Sequence, residues 1–582
     1  METRWILRPA DPDAVARVAR RNGLHAAVAR CLVARGHHDA ERSAAHLEAS
    51  LMSLRDPAEM PGTALAAARI RRALEKKEVV LVHGDYDVDG LSGTALLMRL
   101  LQLVGVRARP YIPNRLTDGY SFGPHSVVKA KNEEASLVVS VDNGTSAHAT
   151  ITDLLAEGIE TIVTDHHEPP HGPLPPAVAL VNPKLHGSTY PFRELCGAGV
   201  AFKLAWAVCQ EISGARKVRE DLRLFLADAM SYVAIATVCD VVPLVDENRV
   251  LARRGLVALE ATKHAGLRAL LEAAGVTGAA LNAEDVGFKL GPRLNAAGRL
   301  GSASSALELL LCNDPWRART LADELEKKNV ERKKIEAALL EEALREADRF
   351  ADPERHPVLV LAREGWHSGV VGIVAARLVE RYRRPALVIG LENGKGRGSA
   401  RSVADFDVLA AMHGGAKHME RYGGHAQAAG CEVRAESIDA LREAICARAT
   451  EMLAGTARAE HELVVDYDLP FGEMSIELMR QLDRLEPFGE QNEKPLFVSR
   501  DLRLAEPART MGADRSHLSM LLRSGERVLR AVGFGHGARL GELELGKPVH
   551  VAYSPRWNTF RGETNLEIVL EDFRTGAAPS LV

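Results

Sequence analysis

At 582 residues the chain is too long for one hydrophobic core, and its 46% hydrophobic and 26% charged residues describe an ordinary soluble protein of several domains. A formal net charge of −4 excludes a uniformly basic nucleic-acid coat, although a local basic groove remains compatible with it. The seven cysteines, at 31, 196, 209, 239, 312, 431 and 446, are odd in number and never in a C-x-x-C, which argues against a disulfide frame or zinc cluster and for reduced thiols in a cytoplasm.

The opening METRWILRPADPDAVARVARRNG has no apolar core beside a cleavage site, so no secretory signal is expected. No run approaches the roughly 18 apolar residues of a membrane span, and no membrane is expected as a partner. Residues 1–75 read as a helical region rich in Ala and Arg. A domain over 76–313 follows. Its strand-like runs EVVLVHGD, VRARPYIP, ASLVVSVDNG, IETIVTDHH and AVALVNP alternate with helical stretches such as LSGTALLMRLLQLVG. That alternation predicts an α/β fold with a parallel sheet covered on both faces. Residues 314–352 hold no Gly or Pro after Pro315, and Leu321, Leu325, Ile335, Leu339 and Leu340 recur at helical spacing among dense charges. One long, largely exposed helix joining two bodies is predicted there. A second, smaller α/β unit over 353–458 begins with HPVLVLAREGW and continues through RPALVIG. The last region, 459–582, offers five strands with Gly-rich turns, PLFVSRDLRL, HLSMLLRSG, RVLRAVGFG, PVHVAYSPRW and TNLEIVLEDF, which predict a small OB-fold β-barrel.

Three strand-like runs of the first α/β region end in groups suited to metal. They are Asp85, Asp87 and Asp89, then Asp142, then Asp165, His166 and His167. Carboxylates this close raise each other's pKa, and either a cation or a turn that splays them apart resolves the conflict. Taken singly, an Asp after a strand is more often a cap or turn residue than a ligand. DYDVDG also lacks the Glu that closes a calcium loop, because position twelve is Leu96. Together the three groups change the balance, since ligands of open parallel sheets gather beyond the carboxyl ends of the strands. Oxygen-rich donors with one or two imidazoles suit Mn²⁺ or Mg²⁺ better than zinc. Two such ions about 3.5–4 Å apart clamp a phosphoryl group and activate a water.

DYDVDG, VDNG, DHH and ATVCDVVPL resemble, in order and spacing, the four motifs of the DHH phosphoesterase superfamily. The segments YIPNRLTDGYSFG, GPRLNAAGRLGSA, GWHSGVVGIVAARL, GRGSARS, GGHAQAAG and PFGEQNEKPLF narrow the resemblance to the RecJ family of single-stranded-DNA-specific exonucleases, from about residue 46 onward. Two departures are Cys239, where Ala is usual before Asp240, and Ser121, where Gly is usual after Tyr120. The resemblance implies a DHH catalytic domain, a DHHA1-type nucleic-acid-binding domain and an OB-fold that binds single-stranded DNA. It implies two divalent cations, Mn²⁺ or Mg²⁺, held by Asp85, Asp87, Asp142, His166 and Asp240, with Asp142 between them. Asp89 ligates or orients, and Asp165 accompanies His167, which polarises the phosphate or protonates the leaving oxygen.

Substrate contacts implied by the same resemblance are Arg115 and Tyr120, then Arg293, Asn295 and Arg299. A pocket of Ser399, Arg401, Gly424 and His425 takes the terminal 5′-phosphate. By composition, residues 381–401 form a basic patch, in which Arg381, Arg383 and Arg384 read as solvated and GKGRGSARS as a Gly-rich anion nest. In the barrel, Phe534, Tyr553, Trp557 and Phe560 beside Arg556 and Arg561 suit stacking of unpaired bases. The implied activity is hydrolysis of single-stranded DNA from the 5′ end to mononucleotides, in DNA repair and recombination. A helicase and a single-strand-binding protein are the partner classes the resemblance brings, and a monomer is the default state. Two alternatives are a DHH phosphodiesterase or pyrophosphatase on small substrates and a non-catalytic DNA-binding replication scaffold.

Overall fold

In the computed structural model, residues 3–114, 118, 122–278, 280–454, 462–560 and 563–581 are described. The chain opens with β1 (Arg4–Leu7) and three helices, Pro12–Asn22, Ala26–Ala34 and Ala40–Glu48. The first α/β body then lays down β2 (Val79–His83), β3 (Arg107–Tyr111), β4 (Leu137–Val141), β5 (Glu160–Thr164) and β6 (Ala179–Val181). All pair in parallel, in the order β3-β2-β4-β5-β6. The central runs VVLVH, LVVSV and ETIVT are buried almost throughout because helices cover both faces, as a parallel sheet requires.

Three helices of this body matter for the site: α1 (Val88–Val104), α2 (Gly197–Ser213) and α3 (Glu220–Cys239). By length and mean hydropathy α3 reaches the level of a membrane span. A count of unbroken apolar runs misses it, since Asp228 sits within it. The helix packs on α1 and α2, and its apolar residues Leu222, Tyr232, Val233 and Ile235 belong to the largest core cluster of the protein. A π-helical turn, Val286–Leu290, leads into α4 (Gly291–Leu300).

The long helix α5 spans Pro315–Ala347, with Asp314 capping its start through the Arg317 amide. It is less exposed than its charge content predicts. Ala318, Leu321, Ala322 and Leu325 enter the core of the first body, and Leu339, Ala343 and Ala347 enter that of the second. Between these halves the buried face turns polar, where Arg332 donates to Asn329 Oδ1 and Glu336 Oε2, both at 2.7 Å. One side of the helix is therefore a continuous seam between two bodies.

The second body holds β7 (Leu359–Glu364), α6 (Val371–Tyr382), β8 (Ala386–Glu392), β9 (Lys395–Arg401), β10 (Met419–His425) and β11 (Ala428–Arg434). Its order is β10-β11-β9-β8-β7, and only β7 and β8 are parallel. After β12 (Glu462–Val465) comes the barrel: β13 (Tyr467–Asp468), β14 (Phe497–Leu504), β15 (Arg509–Met511), β16 (His517–Ser524), β17 (Arg527–Gly533), β18 (Val549–Phe560) and β19 (Glu563–Thr575). A pairing of β14 with β16 closes it. The five expected strands are the long ones; β13 and β15 are too short to leave a periodic signal.

The opening helical region belongs with the far end of the chain. β1 pairs in parallel with β12, and Val18, Val28, Leu32 and Leu47 share a core with Leu469, Phe471, Leu478 and Phe497. Arg249, fully buried, fastens this assembly to the first body by donating to the carbonyls of His46, Arg484 and Leu485. All seven cysteines are free thiols.

Candidate active site

Loops at the carboxyl ends of β2, β4 and β5, together with the end of α3, bring four distant segments to one point. Asp85 and Asp87 follow β2. Asp87 is at once a helix cap and a member of the acidic group, since its Oδ1 accepts from the amides of Asp89 at 3.0 Å and Gly90 at 3.1 Å at the start of α1. Asp142 follows β4 in the left-handed region, at φ 63°, and its amide donates to Thr164 O at 2.9 Å. Asp240 caps α3, and the next residue, Val241, has φ 58°. A β-branched residue in that region is a genuine outlier, and such strain clusters at functional sites. Gly197 is required by contact, because a Cβ there would lie 2.6 Å from Asp142 Cβ.

His166 Nε2 is the centre of the cluster: Asp142 Oδ1 lies 3.1 Å from it, Asp240 Oδ2 3.6 Å and Asp89 Oδ2 3.7 Å. Asp85, Asp87 and Asp142 form a second group whose ligand atoms all lie within 4.8 Å of one another. Asp142 belongs to both groups. Its Oδ1 is buried and accepts no hydrogen bond among the described residues, although the His166 ring nitrogen is so near.

The electrostatics describe a site built for cations. Burial, reinforced by Asp89, Asp87, Asp240 and Asp85, pushes the Asp142 carboxyl well above the ordinary range. Burial and then Asp89 and Asp87 do the same to Asp240. Burial and Asp87 take Asp89 to about 7. His166 is driven down to about 3 by burial and by the neighbouring His167, so its ring is neutral with a lone pair for a ligand bond. Buried like charges beside a neutral imidazole, with a lone pair of Asp142 unmatched, fit hard divalent cations.

Around this cluster the backbone holds two further carboxylates. Asp89 accepts from the amides of Gly197 at 2.6 Å and Ala198 at 2.7 Å, so the start of α2 clamps it. Asp165 lies behind the site. It accepts from the amides of Thr145 (2.9 Å), His166 (2.8 Å) and His167 (3.2 Å), and its Oδ1 is 2.7 Å from His167 Nδ1. Burial works against the His167 charge, but the Asp165 bond and charge overcome it and raise the imidazole to about 9. Asp165 itself is held well below its usual range, burial being outweighed by His167 and the backbone donors. Asn182 bridges Thr145 Oγ1 and His167 O. Thr145, Asn182 and the CGAG stretch at 196–199 carried no sign of a role in the sequence, because only the tertiary fold sets them against Asp89 and His167.

The cluster opens into a cavity of about 620 Å³ whose opposite wall comes from α4 and from the second body. Asp85, Asp87, Asp89, Asp142, His167 and Asp240 face Asn295 and Arg299 of α4, Arg401 of β9 and His425 of β10. Arg401 Nη1 donates to Ser399 Oγ at 3.0 Å, and a Cβ on Gly372, at the start of α6, would lie 2.9 Å from that hydroxyl. A helix N-terminus, a hydroxyl and a guanidinium therefore meet, which is a ready anion site. Gly424 is in β10 at φ 143°, beside His425. Arg299 Nη1 donates to Gly369 O at 3.1 Å and ties the two walls together.

Other expected contacts fall elsewhere. Arg293 is turned to α5, where Nε lies 2.6 Å from Glu326 Oε2, and it does not line the cavity. Arg384, expected to be solvated, is buried and donates to the carbonyls of Phe350 and His356. Tyr553 is a core residue of the barrel, and Trp557 is tied to Asp483 at 3.0 Å. Phe534 is 48% exposed, with the Arg556 guanidinium 5.4 Å from its ring. Arg115, Tyr120, Ser121, Arg561 and the Phe560 side chain lie outside the described residues.

Comparison with known proteins settles the family. Family models match as the DHH family N-terminal domain over 79–236, the DHHA1 domain over 355–451 and the RecJ OB domain over 465–572. The single-stranded-DNA-specific exonuclease RecJ of Bacillus subtilis is 34% identical over 98% of this chain and 70% of its own length. That of Dickeya dadantii is 36% identical over 91% of this chain and 93% of its own. The chain belongs to the RecJ family. The crystal structure of RecJ from Thermus thermophilus in complex with Mn²⁺ superposes with a TM-score of 0.83 at 32% identity, covering 99% of this chain and 80% of that one. The complex of the same protein with Mg²⁺ gives 0.77 at 31% identity, covering 99% of this chain and 79% of that one.

Proposed function

We propose that this chain is a metal-dependent exonuclease that hydrolyses single-stranded DNA from the 5′ end to mononucleotides. The observation that carries the reading is the shared cavity, in which the acidic cluster of the first body faces His425 and Arg401 of the second, the latter bonded to Ser399, across one nucleotide-sized space. Asp85, Asp87, Asp142, His166 and Asp240 are the residues that hold two divalent cations, Mn²⁺ or Mg²⁺. When bound, such ions neutralise charge on the scissile phosphate and lower the pKa of an attacking water.

The chain's own residues do the rest. Asp89, pinned by two α2 amides, keeps Asp87 and His166 in register. The Asp165 bond at Nδ1 leaves Nε2 of His167 to face substrate, where its N–H stabilises a phosphoryl oxygen or protonates the leaving 3′-oxygen. Arg401, Ser399 and the α6 N-terminus, with Gly424 and His425, capture the terminal 5′-phosphate, and this sets polarity because the end is held before the next bond reaches the acidic cluster. Asn295 and Arg299 steady the backbone. A wall from each body leaves a passage for one strand and excludes a duplex.

A role in repair and recombination, a cytoplasmic setting in keeping with seven free thiols, partnership with a helicase or single-strand-binding protein, and a monomeric state complete the proposal. The test uses purified protein with Mn²⁺ and single strands labelled at either end. Immediate release of labelled mononucleotide from the 5′ end only, absent in Asp142→Ala, is the expected result. Binding without cleavage by the unmodified protein would transfer the reading to a DNA-binding scaffold.

A further inference from the structure

A second cavity, of about 560 Å³, adjoins the catalytic one and shares Cys239, Asn295 and Arg299 with it. Its walls come from α3 and the strained Val241, from the π-turn and α4, from Ile373 of α6, and from the Phe488–Glu490 segment that leads into the barrel. The most exposed aromatic ring on it is Phe288, in the π-turn, at 79% exposure. No packing requirement explains a phenylalanine left in water at that point.

Helix geometry places this ring in relation to the site. Phe288, Pro292, Asn295 and Arg299 are spaced i, i+4, i+7 and i+11, which puts them along one face. All four line the second cavity, and the last two also line the first. Arg293 takes the other side of α4 against Glu326. A π-turn in a helix is itself uncommon and recurs at functional sites. One helix face thus runs without interruption from the acidic cluster to the exposed ring.

We propose that Phe288 is a base-stacking residue, and that this groove takes the bases of the single strand lying 3′ to the bond being cut. The assignment rests on the exonuclease reading of the adjoining cavity. Chemistry favours bases over phosphates here. Beyond Arg299, which stands where the groove joins the catalytic cavity, the cations at the groove are paired with carboxylates: Lys494 with Glu284 at 2.7 Å, and Arg332 with Glu336. Glu490 and Glu493 add negative charge. Away from Arg299 such a surface disfavours a phosphate chain, whereas the rings of Phe288 and Phe488 and the side chains of Val241 and Ile373 offer apolar faces to uncharged bases. Continuity with the catalytic cavity makes the occupant the same strand whose end is held there.

The experiment compares full-length protein with Phe288→Ala and Phe288→Trp on a long single strand and on a 5′-phosphorylated dinucleotide, with Mn²⁺. An exposed ring can be removed without loss of fold. Phe288→Ala is expected to raise KM for the long strand about tenfold at unchanged kcat, the size of one lost base–aromatic stack. The single 3′ base of the dinucleotide reaches only the junction at Asn295 and Arg299, the latter about 16 Å of helix short of Phe288, so its hydrolysis stays as in the unmodified protein, and Phe288→Trp restores the long-strand KM. A strand carrying 2-aminopurine at successive positions is quenched on binding at one or two of them, and Phe288→Ala abolishes that quenching. Long-strand kinetics and quenching identical to the unmodified protein would overturn the proposal and leave the groove to an apolar segment of a partner protein. The fluorescence readout needs no cleavage, so a protein that stacks bases but never cuts would sink the exonuclease reading alone.

Discussion

The two α/β bodies each have a five-stranded sheet, yet they contribute to the cavity in opposite ways. In the first, wholly parallel, every strand enters from the same side, so loops from Asp85 to His167 converge at one edge, where the end of α3 adds Asp240. The result is an acidic cluster in which the buried Asp89, Asp142 and Asp240 carboxyls are pushed upward by burial and by neighbouring carboxylates. In the second, mostly antiparallel, the contact residues lie on strands β9 and β10, which flank β11, and at the start of α6. They form an anion site that is open to water and satisfied by local hydrogen bonds. The first wall is costly without cations, and the second stands without a ligand. Catalysis should therefore depend on the first steeply and on the second mildly.

That contrast can be broken by experiment. Asp142→Ala, which removes the carboxylate common to both acidic groups, is expected to lower kcat by at least about 10³-fold in a labelled-strand assay, with strand binding largely kept. Chelation should do the same to the unmodified protein, reversibly on adding Mn²⁺. His167→Ala should cost about 10²–10⁴-fold in kcat, and Asp165→Asn about 10–100-fold, since it only orients the ring. Equal losses for Asp165→Asn and Asp142→Ala would mean that Asp165 belongs to the metal set. Arg401→Ala should raise KM for 5′-phosphorylated strands about tenfold and erase the preference for them over 5′-hydroxyl strands, with kcat nearly unchanged. A kcat loss as large as that of Asp142→Ala would erase the distinction between the walls.

The smallest effect concerns stability and lies away from both walls. His37 is lowered to about 4 and His46 to about 2, in each case by burial and then by Arg249, with Arg35 adding to both. Unfolded histidine titrates near 6.5. Above that value both states are neutral; below it the unfolded chain binds protons that the folded one refuses, so stability falls as pH drops from about 6.5 towards the folded values. The melting temperature should decline by a few degrees between about pH 6.5 and 5. A flat profile across that interval would show that these two rings do not control acid stability.

Much of the molecule was legible in the sequence, for identifiable reasons. Apolar runs such as LVVSV alternating with helical stretches specify a parallel sheet, because only burial on both faces suits strands with no polar side. Aspartates and histidines at the ends of those runs then share an edge by geometry. The five long strands of the barrel, and α5 from its lack of Gly and Pro, were readable by period alone.

Contacts between elements far apart in the chain were not. That a parallel β1–β12 pair and a shared core fasten the opening helices to the barrel, that α2 amides pin Asp89, and that Arg293 turns away while Arg299 bridges to Gly369 all depend on packing. Asp240 reads locally as a helix-ending residue, and only the fold delivers it to within 3.6 Å of His166. Local periodicity and residue chemistry decided which segments are strands and which groups can bind a cation. The close-packed tertiary structure decided which of those groups meet, since a side chain's neighbours are chosen by the burial of surfaces that the linear sequence does not place side by side.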